Sequence, residues 1–288
     1  MGRIRKGWDL TKKAWGVVRS NPGLMKLPVI GGLLGFLALL LFGVPGVVLI
    51  SAEQASNVAY AAGGVLIAVG LYLSSFAVIY FNVALAAAAD SAFRTGTADV
   101  SAGMATARSR IRVIAAWAAV AAIVSMAFNL LRQRGGLAGQ IAAGLGAAIW
   151  ALVTFLIAPV LAFEGLGPFA AIKRSSSMFK DKWGQQITGN IAIGAVTGIV
   201  AVLAILIAVA GGFVLASGSS AAVVAGGGLL LLGVVLFFAA VVVSGAVRGV
   251  FGVALYRYIA DEQVVGPFSM EELESAVKVK GSKAQPAI

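Results

Sequence analysis

Long apolar runs, separated by short polar or turn-forming stretches, decide what this chain can fold into. The first run extends from Leu27 to Ser51 without a charged residue. A helix that crosses a bilayer needs about 18 or more apolar residues in a row, whereas a membrane β-strand alternates apolar and polar positions over about 10 residues. Only 11% of the 288 residues are charged and 60% are hydrophobic, whereas soluble domains carry about 25% charged residues. The pattern therefore predicts an all-α, polytopic transmembrane helical bundle.

Six spans are predicted from these runs and from the turn residues between them. They lie at 27–51, 58–86, 113–131, 137–163, 187–216 and 221–250. The polar segment before the first run is too long for a signal peptide, so the first span is expected to be retained. Residues 1–265 form the predicted membrane domain, and residues 266–288 form a cytoplasmic segment. There, Ser269-Met-Glu-Glu272 has the pattern of a capping box, which predicts a short solvated helix before a tail.

The basic residues predict the orientation. All but two of the 22 Lys and Arg lie in the N-terminal segment, the second and fourth loops, or the C-terminal part. The exceptions are Arg132 and Arg134 in the third loop. Because Lys and Arg accumulate on the cytoplasmic side, both termini and the even loops are predicted to be cytoplasmic, in a cell membrane. The net charge of +11 then predicts contact with anionic headgroups, and no nucleic-acid motif accompanies it.

A threefold internal repeat is predicted from three amphipathic helices, each of which precedes a hairpin of two spans. The hairpins cover 27–86, 113–163 and 187–250. The apolar faces are Ile4, Trp8, Thr11, Trp15 and Val18 in the first helix; Val100, Met104, Ala107 and Ile111 in the second; and Phe169, Ile172, Ser176, Phe179 and Trp183 in the third. A second repeated pattern is found in Phe81–Leu85 and Phe251–Leu255. A glycine lies 15 residues after each phenylalanine, at Gly96 and Gly266. Chance matches in low-complexity sequence are the alternative.

Basic and aromatic residues on the cytoplasmic side are candidates for lipid contact. Lys173, Arg174, Lys180 and Lys182 are predicted to bind anionic headgroups. Trp8, Trp15 and Trp183 are predicted to anchor their helices in the interface. The alternative for the stretch from Gly167 to Gly184 is an in-plane helix that only links two spans.

Three charged residues are predicted at a similar depth near the membrane: Asp90, Glu164 and Arg248. A charge near the bilayer needs a partner, so we predict an Arg248–Glu164 or Arg248–Asp90 contact that ties the hairpins together. Snorkelling of unpaired side chains to the interface is one alternative. A transport role for the carboxylates is the other.

Catalytic chemistry has few candidates here. The chain has no cysteine and no histidine, which excludes thiol nucleophiles, the commonest general base and the commonest metal ligand. We therefore expect no enzymatic activity, no cofactor and no metal. Pro45 and Pro159 are expected to kink spans one and four. Small-residue pairs such as Gly245 and Gly249 indicate close helix packing and leave homo-oligomerisation open.

The layout resembles that of uncharacterised families of prokaryotic six-span membrane proteins. The residues that carry the resemblance are Gly7-Trp8-Asp9-Leu10 through Trp15, and Ala158-Pro159-Val160-Leu161-Ala162-Phe163-Glu164-Gly165 leading into Gly167-Pro168-Phe169-Ala170-Ala171-Ile172-Lys173-Arg174-Ser175. The order of a glutamate, a Gly-Pro pair and a basic helix is also similar to the membrane domain that accompanies some glycerophosphodiester phosphodiesterases. That domain is the non-catalytic partner, so the resemblance implies a membrane location and no catalytic residue.

Two functions remain after these exclusions. The first is a non-catalytic membrane protein that organises lipids or recruits partners through its basic cytoplasmic face. The second is a small transporter or channel that uses the axis between the hairpins. A transporter predicts a polar cavity at mid-bilayer lined by Asn129, Gln140, Asn190 or a carboxylate, whereas a scaffold predicts a dry interior of Gly and Ala.

Overall fold

Helices account for nearly all of the chain that the computed structural model describes, which is residues 2–52, 56–182, 189–217 and 219–277. No strand occurs in these ranges, which confirms the all-α prediction. In chain order the helices are α1 (Gly2–Ser20), α2 (Gly23–Ala38), α3 (Val44–Ser51), α4 (Asn57–Thr95), α5 (Val100–Ser109), α6 (Ile111–Arg134), α7 (Gly136–Val153), α8 (Ile157–Pro159), α9 (Pro168–Lys182), α10 (Gly189–Ala216), α11 (Ser220–Asp261) and α12 (Met270–Val277). A first π-helical segment, Leu39–Gly43, joins α2 to α3, and a second, Val160–Glu164, follows α8.

Polar side chains begin several of these helices as the turn residues predict. Ser56 accepts a hydrogen bond from the Ala59 backbone N–H at the start of α4. Asp99 does the same for Ala102 at the start of α5. Ser219 accepts from Ala222 at the start of α11. Each cap satisfies one backbone donor that the first helical turn leaves free.

Five helices are long and apolar enough to cross a membrane. They cover Gly23–Ser51, Asn57–Thr95, Ile111–Arg134, Gly136–Val153 and Ala221–Asp261. The predicted span 187–216 corresponds to α10, a helix of 28 residues. Its fully described part, Val202–Ala216, is by itself too short to meet this criterion. Multiple crossings are therefore supported, and the sixth span stays a prediction.

Two of these helices continue well past the predicted ends of their spans. α4 has 39 residues and α11 has 42, which corresponds to roughly 60 Å each, about twice the hydrocarbon thickness of a bilayer. The predicted ends at residues 86 and 250 lie next to the charged residues Asp90 and Arg248, but no proline occurs there and the helices continue. α4 instead ends at Gly96, which has a φ of 82°.

Both predicted proline kinks lie beside an interruption of the helix. Pro45 follows directly on the first π-helical segment, where the Val44 N–H bonds to the Leu39 carbonyl. Pro159 lies between a turn at residues 154–156 and the second π-helical segment. A proline removes one helical hydrogen bond and crowds the preceding turn. The single span predicted for 137–163 is therefore broken after Val153.

Neighbouring apolar helices pack side by side along the chain. α2 and α3 lie along α4, α6 lies along α7, and α10 lies along α11; α4 also contacts α6 and α11. The α10–α11 contact is backbone against backbone. A Cβ added to Gly211 would lie 2.7 Å from the Gly226 carbonyl oxygen, and one added to Gly233 would lie 2.5 Å from the Ala208 nitrogen. Small residues bring helices close in this way in membranes.

The core lies at one end of the bundle, where α1, α5, α9 and α12 pack against the ends of the long helices. We call this the basic end. The three amphipathic helices turn small residues towards it, with Ala14 in α1, Gly103 and Ala107 in α5, and Ala171 and Ser175 in α9 all buried.

The buried faces of α1 and α9 do not coincide with the apolar faces predicted for these helices. In α1 the buried side chains are Leu10, Ala14 and Val18, whereas Trp8 is 41% exposed. In α9, Phe169 is 80% exposed, although it belongs to the predicted apolar face. The physical reason is that a lipid-exposed side can hold large apolar side chains, so the closest helix contacts go to small ones.

The C-terminal segment is docked rather than merely solvated. The predicted capping box is confirmed, because the Ser269 N–H donates to Glu272 Oε2 at 2.8 Å and the Glu272 N–H donates to Ser269 Oγ at 3.3 Å. Leu273 is fully buried, and the Phe268 ring lies 6.3 Å from the Phe93 ring and 6.1 Å from the Phe251 ring. Lys13 Nζ of α1 lies 2.6 Å from Glu272 Oε1.

We expect Gly233→Leu to destabilise the α10–α11 contact by about 1–3 kcal/mol, because the added side chain has no room against Ala208. Gly228→Leu is the matched control, since a Cβ at Gly228 meets nothing within 4 Å on the same helix. Thermal unfolding of the detergent-solubilised protein measures both. Equal shifts for the two variants would contradict the close contact.

We expect the docking of α12 to weaken in acid. Partial burial of the Glu272 carboxyl acts to raise its pKa, but hydrogen bonds from Lys13 and Ser269 outweigh burial and hold the pKa below its usual value. Because the folded pKa is lowered, the contribution to stability is complete above about pH 4.3 and is lost as the pH falls through the folded value. Hydrogen exchange across residues 268–277 at a series of pH values measures the docking. Glu272→Gln should remove this pH dependence, and a dependence that survives the substitution would refute the assignment.

Candidate functional site at the basic end

Two carboxylates lie at the basic end, where the apolar helices finish. Asp90 lies in the second-last turn of α4 and is 2% exposed. Glu164 is the last residue of the second π-helical segment, directly before Gly165, which has a φ of 64°. The left-handed residue ends the helix there, since the Gly165 N–H bonds back to the Val160 carbonyl at 3.1 Å.

Asp90 is held by a bidentate ion pair that joins α4 to α11. Arg257 Nε lies 2.7 Å from Asp90 Oδ1, and Arg257 Nη2 lies 2.9 Å from Oδ2. Arg94 adds a contact of 2.9 Å from its Nη2 to Oδ2. The remaining terminal nitrogen of Arg257 bonds Asp261 at 2.7 Å. A fork-shaped pair of this kind fixes orientation as well as charge.

Glu164 is held by a second set of donors. The Tyr256 hydroxyl donates to Glu164 Oε1 at 2.8 Å. Arg174 Nε of α9 donates to Oε1 at 2.9 Å and to Oε2 at 3.1 Å. This carboxylate therefore joins α11 and α9 to the second π-helical segment.

Phe163 connects the two carboxylate groups. The Arg257 guanidinium lies 4.5 Å from the centre of the Phe163 ring, a cation–π contact. The same ring lies 5.3 Å from the Tyr256 ring. One network, which we call the carboxylate network (Asp90, Arg94, Phe163, Glu164, Arg174, Tyr256, Arg257 and Asp261), thus spans four elements.

The structure brings Asp90 and Glu164 to the same end but does not bring Arg248 to either of them. Arg248 is exposed, and the partners of both carboxylates are other residues. Arg248 precedes Arg257 by nine residues in one helix, which places it about 13.5 Å away along the axis. Arg257 and Tyr256 were not predicted as partners, because the last span was predicted to end at residue 250. The spacing of Arg257 and Asp261, four residues apart on one helix, is the pattern that could have identified them.

The predicted lipid-contact residues differ in their surroundings. Lys173 is exposed, whereas Arg174 is engaged with Glu164. Lys180 and Lys182 lie on the described backbone of α9, but their side chains fall outside the described part of the chain. Among the predicted anchors, Trp8 is exposed and Trp15 is half-buried against the core. Trp183 lies outside the described residues.

Cations outnumber acids among the exposed side chains described at the basic end. The acidic groups Asp90, Glu164, Asp261 and Glu272 are each paired within the protein. Exposed cations at the same end are Lys12, Arg19, Lys26, Arg94, Arg108, Arg112 and Lys173. Exposed acids at this end are Asp9, Asp99, Asp261, Glu262 and Glu271, so exposed cations outnumber exposed acids among the described residues.

A cleft of about 360 Å³ opens at the basic end between α1 and the end of α4. Its polar side chains already have protein partners: Lys13 binds Glu272, Ser20 bonds the Gly16 carbonyl, and Asn21 accepts from the Ala98 N–H at 2.8 Å. Within the described ranges, no group of three or more acidic residues is arranged to hold a metal ion. Neither feature provides a reaction centre.

Comparison with known proteins gives one match. A family model described as "Family of unknown function (DUF6159)" matches residues 61–266, which include every member of the carboxylate network. No curated protein and no solved structure matches the chain.

We expect Arg257→Gln to cost about 3–5 kcal/mol of stability, because it leaves the buried charge of Asp90 without its main partner. Arg248→Gln is the matched control in the same helix and should change stability by less than about 0.5 kcal/mol. Unfolding of the solubilised protein measures both. Asp90→Asn combined with Arg257→Gln should cost less than the sum of the single changes. A larger loss for Arg248→Gln than for Arg257→Gln would refute the assigned pairing.

Proposed function

The chain belongs to the DUF6159 family, whose function is unknown, and from its own residues we propose a non-catalytic scaffold of the cell membrane. In this proposal the basic end faces the cytoplasm and organises anionic lipids or recruits partners through its exposed cations. The observation that carries the proposal is the excess of exposed cations over exposed acids among the described residues of the basic end, where Asp90 and Glu164 are paired within the protein. Each exposed basic residue near an anionic leaflet contributes about 1 kcal/mol of attraction.

The proposed topology is six spans in three hairpins, with both termini in the cytoplasm. Its support is that the described helices follow the order short, long, long three times: α1 before α2 to α4, α5 before α6 and α7, and α9 before α10 and α11. The short loops lie at the end opposite the basic end, which we call the far end. Its basic residues are Arg132 and Arg134. The positive-inside rule then orients the basic end inwards.

The proposed repeat has support from its two echoing segments. Phe81–Leu85 and Phe251–Leu255 both lie in the core, and Gly96 and Gly266 both have positive φ, 82° and 65°. A third segment shares another spacing with the first, because Glu164 follows Phe155 by nine residues as Asp90 follows Phe81, whereas Ala260 stands at that distance from Phe251. The similarity in layout to the membrane domain of some glycerophosphodiester phosphodiesterases stays a prediction.

The transporter alternative has less support. The side chains that it places on a polar cavity, Asn129 and Gln140, are exposed near the far end of α6 and α7. Asn190 lies where side chains are outside the described part. The cleft described above lies at the basic end and has its polar groups occupied. Close Gly and Ala contacts between α10 and α11 fit the dry interior that a scaffold predicts.

A lipid-retention experiment tests the scaffold proposal. The full chain in neutral detergent is mixed with phosphatidylglycerol and phosphatidylcholine, and the bound lipids are counted by native mass spectrometry. We expect preferential retention of phosphatidylglycerol. Arg108→Gln combined with Arg112→Gln should reduce it more than Arg132→Gln combined with Arg134→Gln, because the fields of neighbouring cations add at the basic end.

The two double variants remove equal charge from opposite ends, so net charge alone does not separate them. Equal retention of both lipids by the unmodified protein would refute the proposal. Equal losses for the two double variants would refute the role of the basic end.

A further inference from the structure

Arg110 differs from the other cations of the basic end because it is partly buried and yet has no partner among the described residues. Its Nε is enclosed and meets no acceptor, whereas Arg108 and Arg112 on either side are exposed. A guanidinium has five N–H donors. Enclosing such donors without an acceptor is unfavourable, so stability alone would select another residue here.

The guanidinium of Arg110 lies against the turn that links the second π-helical segment to α9. A Cβ added to Gly165 would overlap it, at 2.6 Å from Cζ and 3.1 Å from Nε. Gly165 also has a φ of 64°, a conformation that other residues rarely adopt. Glycine at this position therefore both forms the turn and leaves room for Arg110.

A second guanidinium flanks the same turn. Arg174 uses its Nε for Glu164, the neighbour of Gly165, and its terminal nitrogens bond no described residue. Its side chain is 41% exposed. Glu164 makes no hydrogen bond to Arg110, and its single negative charge is already matched by that of Arg174. Guanidinium groups with unused donors beside one turn are suited to bind a phosphate group through paired hydrogen bonds.

Exposed apolar side chains adjoin both sides of this pair. Ile111, next to Arg110, is 45% exposed, and Phe169, near Gly165, is 80% exposed. Large apolar groups beside an anion site fit an amphiphile, whose chains cover them while its headgroup binds the cations. A soluble phosphate would leave both side chains in water.

We propose that Arg110 and Arg174 at the Gly165 turn bind the phosphate group of an anionic phospholipid. The proposal rests on the scaffold function proposed above and deepens it. It replaces diffuse attraction by one defined site on the surface of the basic end.

The experiment is calorimetric titration of the full chain in neutral detergent at about 0.5 M salt, where diffuse attraction is screened. The probes are a short-chain phosphatidylglycerol, the same diacylglycerol without phosphate, and inorganic phosphate. We expect phosphatidylglycerol to bind more tightly than either. Arg110→Gln should weaken it about tenfold or more, and the matched control Arg112→Gln should change it by less than about twofold.

Stability separates this binding role from a structural one. Without lipid, Arg110→Gln should unfold at or above the temperature of the unmodified protein, because the Arg110 side chain makes no hydrogen bond to the described residues that would be lost. Arg110→Lys keeps the charge but loses the planar fork, so it should bind with intermediate affinity.

Equal affinities for Arg110→Gln and Arg112→Gln would overturn the site, and so would tight binding of the diacylglycerol. Inorganic phosphate that binds as tightly as the lipid would overturn the lipid as the source of the phosphate. If the site fails while low-salt preference for phosphatidylglycerol persists, the scaffold proposal stands without it. Loss of the low-salt preference for phosphatidylglycerol would instead overturn the scaffold proposal itself.

Discussion

The buried charge of Asp90 is the constraint on which the basic end depends. A carboxylate that is 2% exposed near the end of an apolar helix must be neutralised within the protein. Arg257 does this with two parallel hydrogen bonds, and this fixes α11 relative to α4. Through Phe163 and Tyr256 the same contact is linked to Glu164 and α9. This ion pair therefore fixes α11 against α4 and is linked to the position of α9, whereas α1 and α5 are held by their own contacts in the core.

Helix content and caps could be predicted from the sequence because both are local. Continuous apolar runs exclude alternating strands, and the Ser269–Glu272 capping box needs only a spacing of three. The depth of the charged groups was harder to predict. Hydropathy marks where a bilayer would end, but α11 contains no proline near residue 250 and continues through Gly249 and Gly252 to Asp261. Arg257 was consequently assigned to the cytoplasmic part that follows the last span, and Arg248 was chosen in its place.

The orientation of the amphipathic helices could not be predicted for a different reason. The hydrophobic pattern assigned Trp8 and Phe169 to the apolar faces of α1 and α9, and Trp8 was predicted to anchor its helix in the interface. Neither prediction identifies the residues that contact other helices. At a membrane surface both lipid and protein accept apolar side chains, so hydrophobicity no longer distinguishes the two. The buried faces combine small residues such as Ala14, Gly103 and Ala171 with larger ones such as Leu10, Val18 and Met178, so residue size does not identify them either.

The contact between Lys13 and Glu272 joins residues 259 positions apart in the chain. α1 also packs against α10 and α11, so nearly all of its partners belong to the last third of the sequence. A chain emerges from the ribosome at about 5–20 residues per second, and α1 therefore exists for many seconds before its partners do. During that interval its Leu10, Ala14 and Val18 face can rest only on the membrane or on a chaperone. Insertion of the long helices and closure of the basic end are thus separate events in time, and the second completes the protein.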